Sequence, residues 1–124
     1  MNSKMASRPA LKAFFRISDR WKLDVEQQLS LLGSPARSMF FRWKKNRDGR
    51  LTPDALERIS CVLGIFAALH ILLPDEAAAD AWVKKPNAAP IFAGTSALDR
   101  MMSRRISGLY AVRRYLNVQR GGGS

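Results

Sequence analysis

The residues from Thr52 to Leu73, TPDALERISCVLGIFAALHILL, constrain this chain more than any other stretch, because they read as one long helix that has to be buried. Thr52 is a suitable N-cap, able to accept from an orphan backbone N–H, and Pro53 stands at the first helical position, where a missing N–H costs nothing. At about 100° per residue, Leu56, Ile59, Leu63, Phe66 and Leu73 form one apolar stripe, and Val62, Ile65, Leu69 and Leu72 form a second beside it. Two stripes imply two bodies packed on the helix. Ser60, Gly64, Ala67 and Ala68 fill the remaining sector and are small enough for a third element to approach. Pro74 ends the helix. The apolar run between Arg58 and Pro74 includes Ser60, Gly64 and His70 and falls short of the ~20 apolar residues that a bilayer crossing takes. The expectation is a core helix and no membrane.

The 124 residues, 47% hydrophobic and 25% charged, suit one globular domain, or one with an appendage. The formal net charge of +11 is unevenly spread: Met1–Arg50 has twelve Lys or Arg against four acids, and the remainder nine against six. A basic half beside a nearly balanced half points to a polyanion-binding module joined to something else. The lone Cys61 lies inside the buried helix, where it acts as a small core hydrophobe and forms no internal disulfide, as suits a reducing compartment. No charged, apolar leader with a small-residue cleavage site opens the chain, so a cytoplasmic location is expected. One His and one Cys without clustered carboxylates cannot build a four-ligand metal site, and His70 reads as a satisfied near-core side chain. Neither a nucleotide-binding glycine loop, nor facing carboxylates, nor a triad spacing is present. The expectation is therefore no enzyme, no metal and no cofactor.

In chain order, Met1–Arg8 is short, polar and expected to fray. A helix is expected from Pro9, with Leu11, Phe14, Phe15, Ile17 and Trp21 inward and Lys12, Arg16 and Arg20 stacked on another face. Asp24 caps a short helix, VEQQLSLL, whose Val25, Leu29 and Leu32 point inward, and Gly33 ends it in the left-handed region. Ser34 and Pro35 then open another helix, SPARSMFFRWKKN. Two short helices joined by a tight Gly turn make a helix-turn-helix. In the second, Met39, Phe40 and Trp43 are expected to pack inward against the preceding and central helices. Arg37, Ser38, Phe41, Arg42, Lys44 and Lys45 are the DNA-contact candidates, since forked and short polar donors read base edges and an apolar group meets a thymine methyl. Arg47 and Arg50, on the NRDGR turn, would meet phosphates. Beyond the central helix, Asp75 caps EAAADAWVKK, Pro86–Ser96 is a loop pinned by Ile91 and Phe92, Ser96 caps ALDRMMS, and Ile106–Val118 forms a last helix with Ile106, Leu109, Val112 and Leu116 on one face. Trp82 and Phe92 are of a type more often used in cores, whereas Tyr110 and Tyr115 offer contact area with a polar tip.

Three separated pieces, Trp82-Val83-Lys84-Lys85-Pro86-Asn87, Pro90-Ile91-Phe92-Ala93-Gly94-Thr95-Ser96-Ala97-Leu98 and Leu109–Leu116, resemble in order and spacing the C-terminal toxin-binding domain of the Xre/MbcA/ParS antitoxins. The upstream part, from Phe14-Phe15 through Leu31-Leu32-Gly33 and Arg42-Trp43-Lys44 to Leu69-His70-Ile71-Leu72, is similar to the Xre-type helix-turn-helix that precedes it there. The resemblance implies the antitoxin of a type II toxin–antitoxin system, which occludes the active site of a RES-domain, NAD-consuming toxin and, as a homodimer, binds operator DNA to repress its own operon. On that resemblance Trp82, Pro86, Asn87, Phe92 and Gly94 build the characteristic loop. Tyr110, Arg113, Arg114, Tyr115, Gly121, Gly122 and Gly123, with Trp82, Pro86, Asn87 and Phe92, become toxin-contact candidates. The family's loop usually has Phe-Gly-Gly where this chain has Phe92-Ala93-Gly94, so a left-handed Ala93 would be strained.

The expected fold is all-α: an Xre-like helix-turn-helix bundle and a C-terminal helical toxin-binding part sharing the long central helix. The expected divisions are 1–8 as the N-terminus, 9–73 as the helix-turn-helix domain, 74–120 as the toxin-binding domain and 121–124 as a glycine tail. The alternative is a helix-turn-helix transcriptional repressor without a toxin partner.

Overall fold

Seven helices and no strand make up the described residues of the computed structural model, which are 3–46, 49–103 and 105–121. They are α1 (Ser3–Arg20), α2 (Val25–Leu31), α3 (Arg37–Asn46), α4 (Pro53–Leu72), α5 (Glu76–Trp82), α6 (Ala97–Met101) and α7 (Ser107–Gln119). The chain divides into two units, Met1–Leu63 and Gly64–Ser124, and the division falls within α4.

The core of the first unit grows from the apolar face of α1. Leu11, Phe14, Phe15, Ile17 and Trp21 are all buried, as their spacing requires. The helix starts earlier than Pro9 suggests: Ser3–Arg8 is helical, Pro9 lies inside, and Ser7 is fully buried with its Oγ accepting the Leu51 N–H at 3.0 Å. That long-range bond satisfies a backbone donor of the connection into α4 and holds the residues expected to fray. α1 packs on α3, where Phe15 meets Phe40 edge-on at 5.8 Å between ring centres. Phe40 thus finds one aromatic partner on α1 and another in Phe41 of its own helix, at 5.1 Å.

α2 is bounded at both ends by side chain and backbone chemistry. Asp24 accepts from the Gln27 N–H at 2.8 Å while the Gln27 side chain accepts from the Asp24 N–H at 2.9 Å, a reciprocal capping box. At the other end Gly33 (φ +86°) and Ser34 (φ +57°) are both left-handed, and their N–H groups return to Ser30 and Leu29. α3 begins at Arg37 rather than at Pro35, which puts Ala36 and not Ser34 at the position before its first residue. Phe40 and Trp43 are buried on α3, but Met39, about 100° round the helix from Phe40, is 38% exposed instead of inward.

α4 is capped as expected, the Ala55 N–H donating to Thr52 Oγ1 at 3.1 Å. By length and composition this 20-residue helix, which holds an 18-residue window of mean hydropathy 1.7, is long and apolar enough to cross a membrane, because it begins before the run counted from Arg58. Protein packing nevertheless claims Ala55, Arg58, Ile59, Cys61, Val62, Ile65, Ala68 and Leu69, and the buried Arg58 is ion-paired to Asp54 at 3.0 Å. Of the small-residue sector, Ser60 and Ala67 face solvent. Gly64 does receive a close neighbour: a Cβ added there would lie 2.7 Å from Arg113 Nε of α7.

In the second unit α5 is capped by Asp75, which accepts from the Ala78 N–H at 3.1 Å, and it ends at Trp82 rather than running on through Lys85. The Val83 carbonyl is used by the Leu98 N–H at 2.8 Å, and the restriction that Pro86 places on its predecessor favours extended backbone. His70 of α4 is satisfied by Asp80 of α5 at 3.0 Å and lies against Phe66. Ser96 caps α6 in a second capping box, with Asp99, and α6 packs on α7, whose Leu109, Val112 and Leu116 are buried. Gly108 is buried at that contact and admits no side chain: an added Cβ would lie 2.2 Å from the Arg100 carbonyl oxygen.

Candidate functional site

Two surfaces bring together the residues singled out from the sequence. The first is the outer face of α3. Arg37, Ser38, Phe41, Arg42 and Lys45 are exposed along it, Phe41 to 46%. Helical geometry puts them on the side away from Phe40 and Trp43. Lys44 is half-buried, its Nζ 5.9 Å from the centre of the Phe40 ring, so its charge lies at the margin of the face. Arg37 is ion-paired to Glu26 of α2, which ties the start of α3 to its neighbour. Arg50 is exposed next to the buried Leu51, whereas Arg47 lies outside the described residues. The face is thus cationic with an aromatic and a methionine at its surface, a composition able to meet phosphates and base edges.

The second surface is built by the loop between α5 and α6 and by α7. The loop closes on itself. The Asn87 N–H donates to the Thr95 carbonyl at 2.9 Å, the Gly94 N–H to the Asn87 carbonyl at 3.0 Å, and Asn87 Oδ1 accepts from the Ala89 N–H at 2.9 Å. Pro86 pairs with Ser96 in an isolated antiparallel bridge at the neck. Ala93 (φ +50°) and Gly94 (φ +85°) are consecutive left-handed residues, so the strain expected of an alanine there is present. Thr95 Oγ1 donates to the Phe92 carbonyl at 2.7 Å, which fixes the backbone carrying Phe92.

Trp82, Phe92 and Tyr115 meet as one aromatic cluster. Trp82 stacks on Tyr115 with ring centres 6.4 Å apart and planes 17° from parallel, and Phe92 stands edge-on to both, at 5.8 and 5.2 Å. Phe92 is buried, and Trp82 and Tyr115 are half-buried. The cluster therefore braces the loop against α7. Arg113 is also turned inward, its guanidinium over Gly64, while the next residue, Arg114, is exposed. Beside the cluster lies an open groove of about 520 Å³ lined by Ile91, Ser107, Tyr110, Ala111, Arg114, Tyr115 and Val118. Of the candidates, Tyr110, Arg114 and Tyr115 line this groove. Trp82, Asn87, Phe92 and Arg113 support it, Pro86 and Gly121 are exposed elsewhere, and Gly122 and Gly123 lie outside the described residues.

Sequence reasoning missed Ile91, Ser107, Ala111 and Val118 as groove residues, and Gly108 as the close-packing point. A signal existed for most of them: Ser107, Tyr110, Ala111, Arg114, Tyr115 and Val118 recur at three- and four-residue steps, a second face of α7 beside its core face. Gly108 gave none beyond being a poor helix former within a helix.

Such a chain, with a cationic helix-turn-helix in one unit and a braced docking groove in the other, is a two-part binding protein. Comparison with known proteins gives the same division. Residues 5–64 match the antitoxin Xre-like helix-turn-helix domain, and residues 68–122 match the antitoxin Xre/MbcA/ParS C-terminal toxin-binding domain. The chain is also similar to the uncharacterized protein y4oB of Sinorhizobium fredii, with 51% identity over 122 residues, covering 98% of this chain and 92% of the relative. The protein belongs to the Xre/MbcA/ParS antitoxin family. Its role is that of an antitoxin with a toxin-binding part and a helix-turn-helix part.

Proposed function

We propose that this antitoxin neutralises a RES-domain, NAD-consuming toxin by occluding its active site, and that as a homodimer it binds operator DNA and represses its own operon from the cytoplasm. The observation that carries the inhibitory part is the exposed groove of α7, which lies within the toxin-binding match and is held open by an aromatic brace. The regulatory part is supported by the outer face of α3, where Arg37, Ser38, Phe41, Arg42 and Lys45 stand exposed, with Lys44 at its margin and Arg50 close by in sequence. Arg47 completes the proposed phosphate contacts on the connection to α4. Tyr110, Arg114 and Tyr115 are the proposed direct toxin contacts. Trp82, Asn87, Phe92 and Arg113 act by shaping the surface that carries them, and Pro86, Gly121, Gly122 and Gly123 are proposed as further toxin contacts.

Co-expression of this chain with the product of the neighbouring reading frame tests both parts, with cell growth and NAD content as the inhibitory readout and a promoter fusion as the regulatory one. The expected result is a neighbour that depletes NAD and arrests growth alone, rescue by the intact chain, and promoter repression that disappears on substituting Arg42 and Lys45. A neighbour that is harmless alone would instead leave the chain as a repressor without a toxin.

A further inference from the structure

We infer that the α7 groove is a receiving site, and that it takes from the toxin one large apolar side chain flanked by a carboxylate that pairs with Arg114. This rests on the toxin-binding role proposed above and specifies the chemistry of the surface that docks there. Three observations carry it.

First, the groove's lining is mainly apolar, with Ile91, Ala111 and Val118 beside two tyrosines, and Tyr110 is 44% and Val118 54% exposed. Tyr110 and Val118 share this lining with Ile91 and Ala111, so the exposed apolar groups are contiguous rather than scattered. The groove, about 520 Å³ and open to solvent, has room for one large side chain of a partner. Second, the charged side chain in the described lining is a cation, Arg114. Beyond Asp99 the sequence has six arginines and no Asp or Glu, and among the described residues no carboxylate pairs with the exposed Arg114 at the groove's edge. A guanidinium on an apolar rim recognises a carboxylate with two parallel hydrogen bonds. Third, the supporting side chains are already fixed: Tyr115 is stacked on Trp82, and the neighbouring Arg113 is packed over Gly64 rather than offered to a partner. A preformed groove loses less conformational freedom on binding. A nucleic acid is the poorer fit, because phosphate tracking needs several cations spaced along a face, whereas this groove has one beside tyrosines and aliphatics.

The test uses the full-length chain and the purified toxin, with affinity measured by calorimetry. Arg114→Glu and Val118→Asp alter surface positions, Ala111→Trp fills the groove, and Lys85→Glu makes the same charge change outside it. Arg114→Glu is expected to weaken toxin binding by about 30-fold or more. Val118→Asp and Ala111→Trp are expected to weaken it by about tenfold or more, with helical content and Tm unchanged for the two surface variants and with Lys85→Glu binding within about twofold of the parent. Reversing one acidic residue on the toxin to Lys is expected to restore binding to Arg114→Glu. Parent-like binding by Arg114→Glu or Val118→Asp overturns the assignment while leaving the toxin-binding role intact, whereas failure of the unaltered chain to bind the toxin removes that role itself. Loss of self-association or of DNA binding in these variants, with toxin affinity unchanged, gives the groove to a second copy or to nucleic acid and also overturns it.

Discussion

The outer face of α3 and the groove of α7 each use one amphipathic helix, but they are held in different ways. α3 is anchored by Phe40 and Trp43 and presents long, solvated side chains whose positions are set only at their bases. Arg37 is the partial exception, because Glu26 of α2 holds it. α7 is clamped from three sides, by Gly108 against Arg100, by Arg113 over Gly64 and by Tyr115 in the cluster with Trp82 and Phe92. The difference fits the partners proposed for them. A polyanion attracts mobile cations at a distance and tolerates their motion, whereas a protein surface must be matched in shape before its contacts outweigh the cost of association. Substitutions that loosen packing should therefore cost the groove far more than the cationic face, and substitutions that remove charge should do the reverse.

The largest effect is expected from Gly108→Ala. The added methyl would meet the Arg100 carbonyl oxygen at 2.2 Å and Ser103 Oγ at 2.3 Å, and the backbone oxygen cannot swing aside. The expected cost is about 3 kcal/mol or more, visible as a lower Tm, together with loss of toxin binding. DNA affinity, measured by fluorescence anisotropy below the unfolding transition, is expected to stay within about threefold of the parent. A comparable fall in both affinities would show that the two surfaces do not depend on packing differently.

Arg42→Ala sharpens the same contrast from the other side. Arg42 is exposed on α3, so its removal should leave stability within about 0.5 kcal/mol of the parent and toxin affinity unchanged. DNA affinity should fall about tenfold at low salt. If Arg42 meets a phosphate, the slope of log affinity against log salt becomes shallower by about one and the loss is uniform across sequences; if it meets a base edge, the loss is confined to the operator. No change under either condition would remove Arg42 from the DNA-binding face.

The cationic face could be read from the chain because residue type carries most of its meaning: an excess of Lys and Arg in the first half and a periodic apolar set on α3 place charge outward without any knowledge of the tertiary fold. The helix order was equally legible, since Asp24, Thr52, Asp75 and Ser96 are caps with local partners within three residues. What could not be read depended on distant groups. Ser34 looks like a cap for α3, but its left-handed backbone turns back to the Leu29 carbonyl and α3 starts only at Arg37, and Ser7 looks like part of a frayed end until Leu51 meets it from 44 residues away. The groove is of this kind. Ile91 joins Val118 only because the loop folds back and the cluster of Trp82, Phe92 and Tyr115 fixes it, and neither the length of the loop nor its composition specifies that return.

The smallest expected effect concerns that loop. Ala93 sits at φ +50°, where an L side chain costs about 1–2 kcal/mol relative to right-handed backbone. Glycine removes this cost but brings a more disordered unfolded chain, worth about 0.5–1 kcal/mol in the opposite direction. Ala93→Gly is therefore expected to raise stability by about 0.5–1 kcal/mol, read from the urea midpoint at constant slope. The Ala93 side chain is exposed and is not among the groove-lining residues, so toxin affinity should change by no more than about twofold. Relieving strain in the loop that supplies Ile91 should leave a preformed groove as it was. A marked gain in toxin affinity would mean that the loop is not yet settled in the free protein, and that part of the binding free energy goes into ordering it.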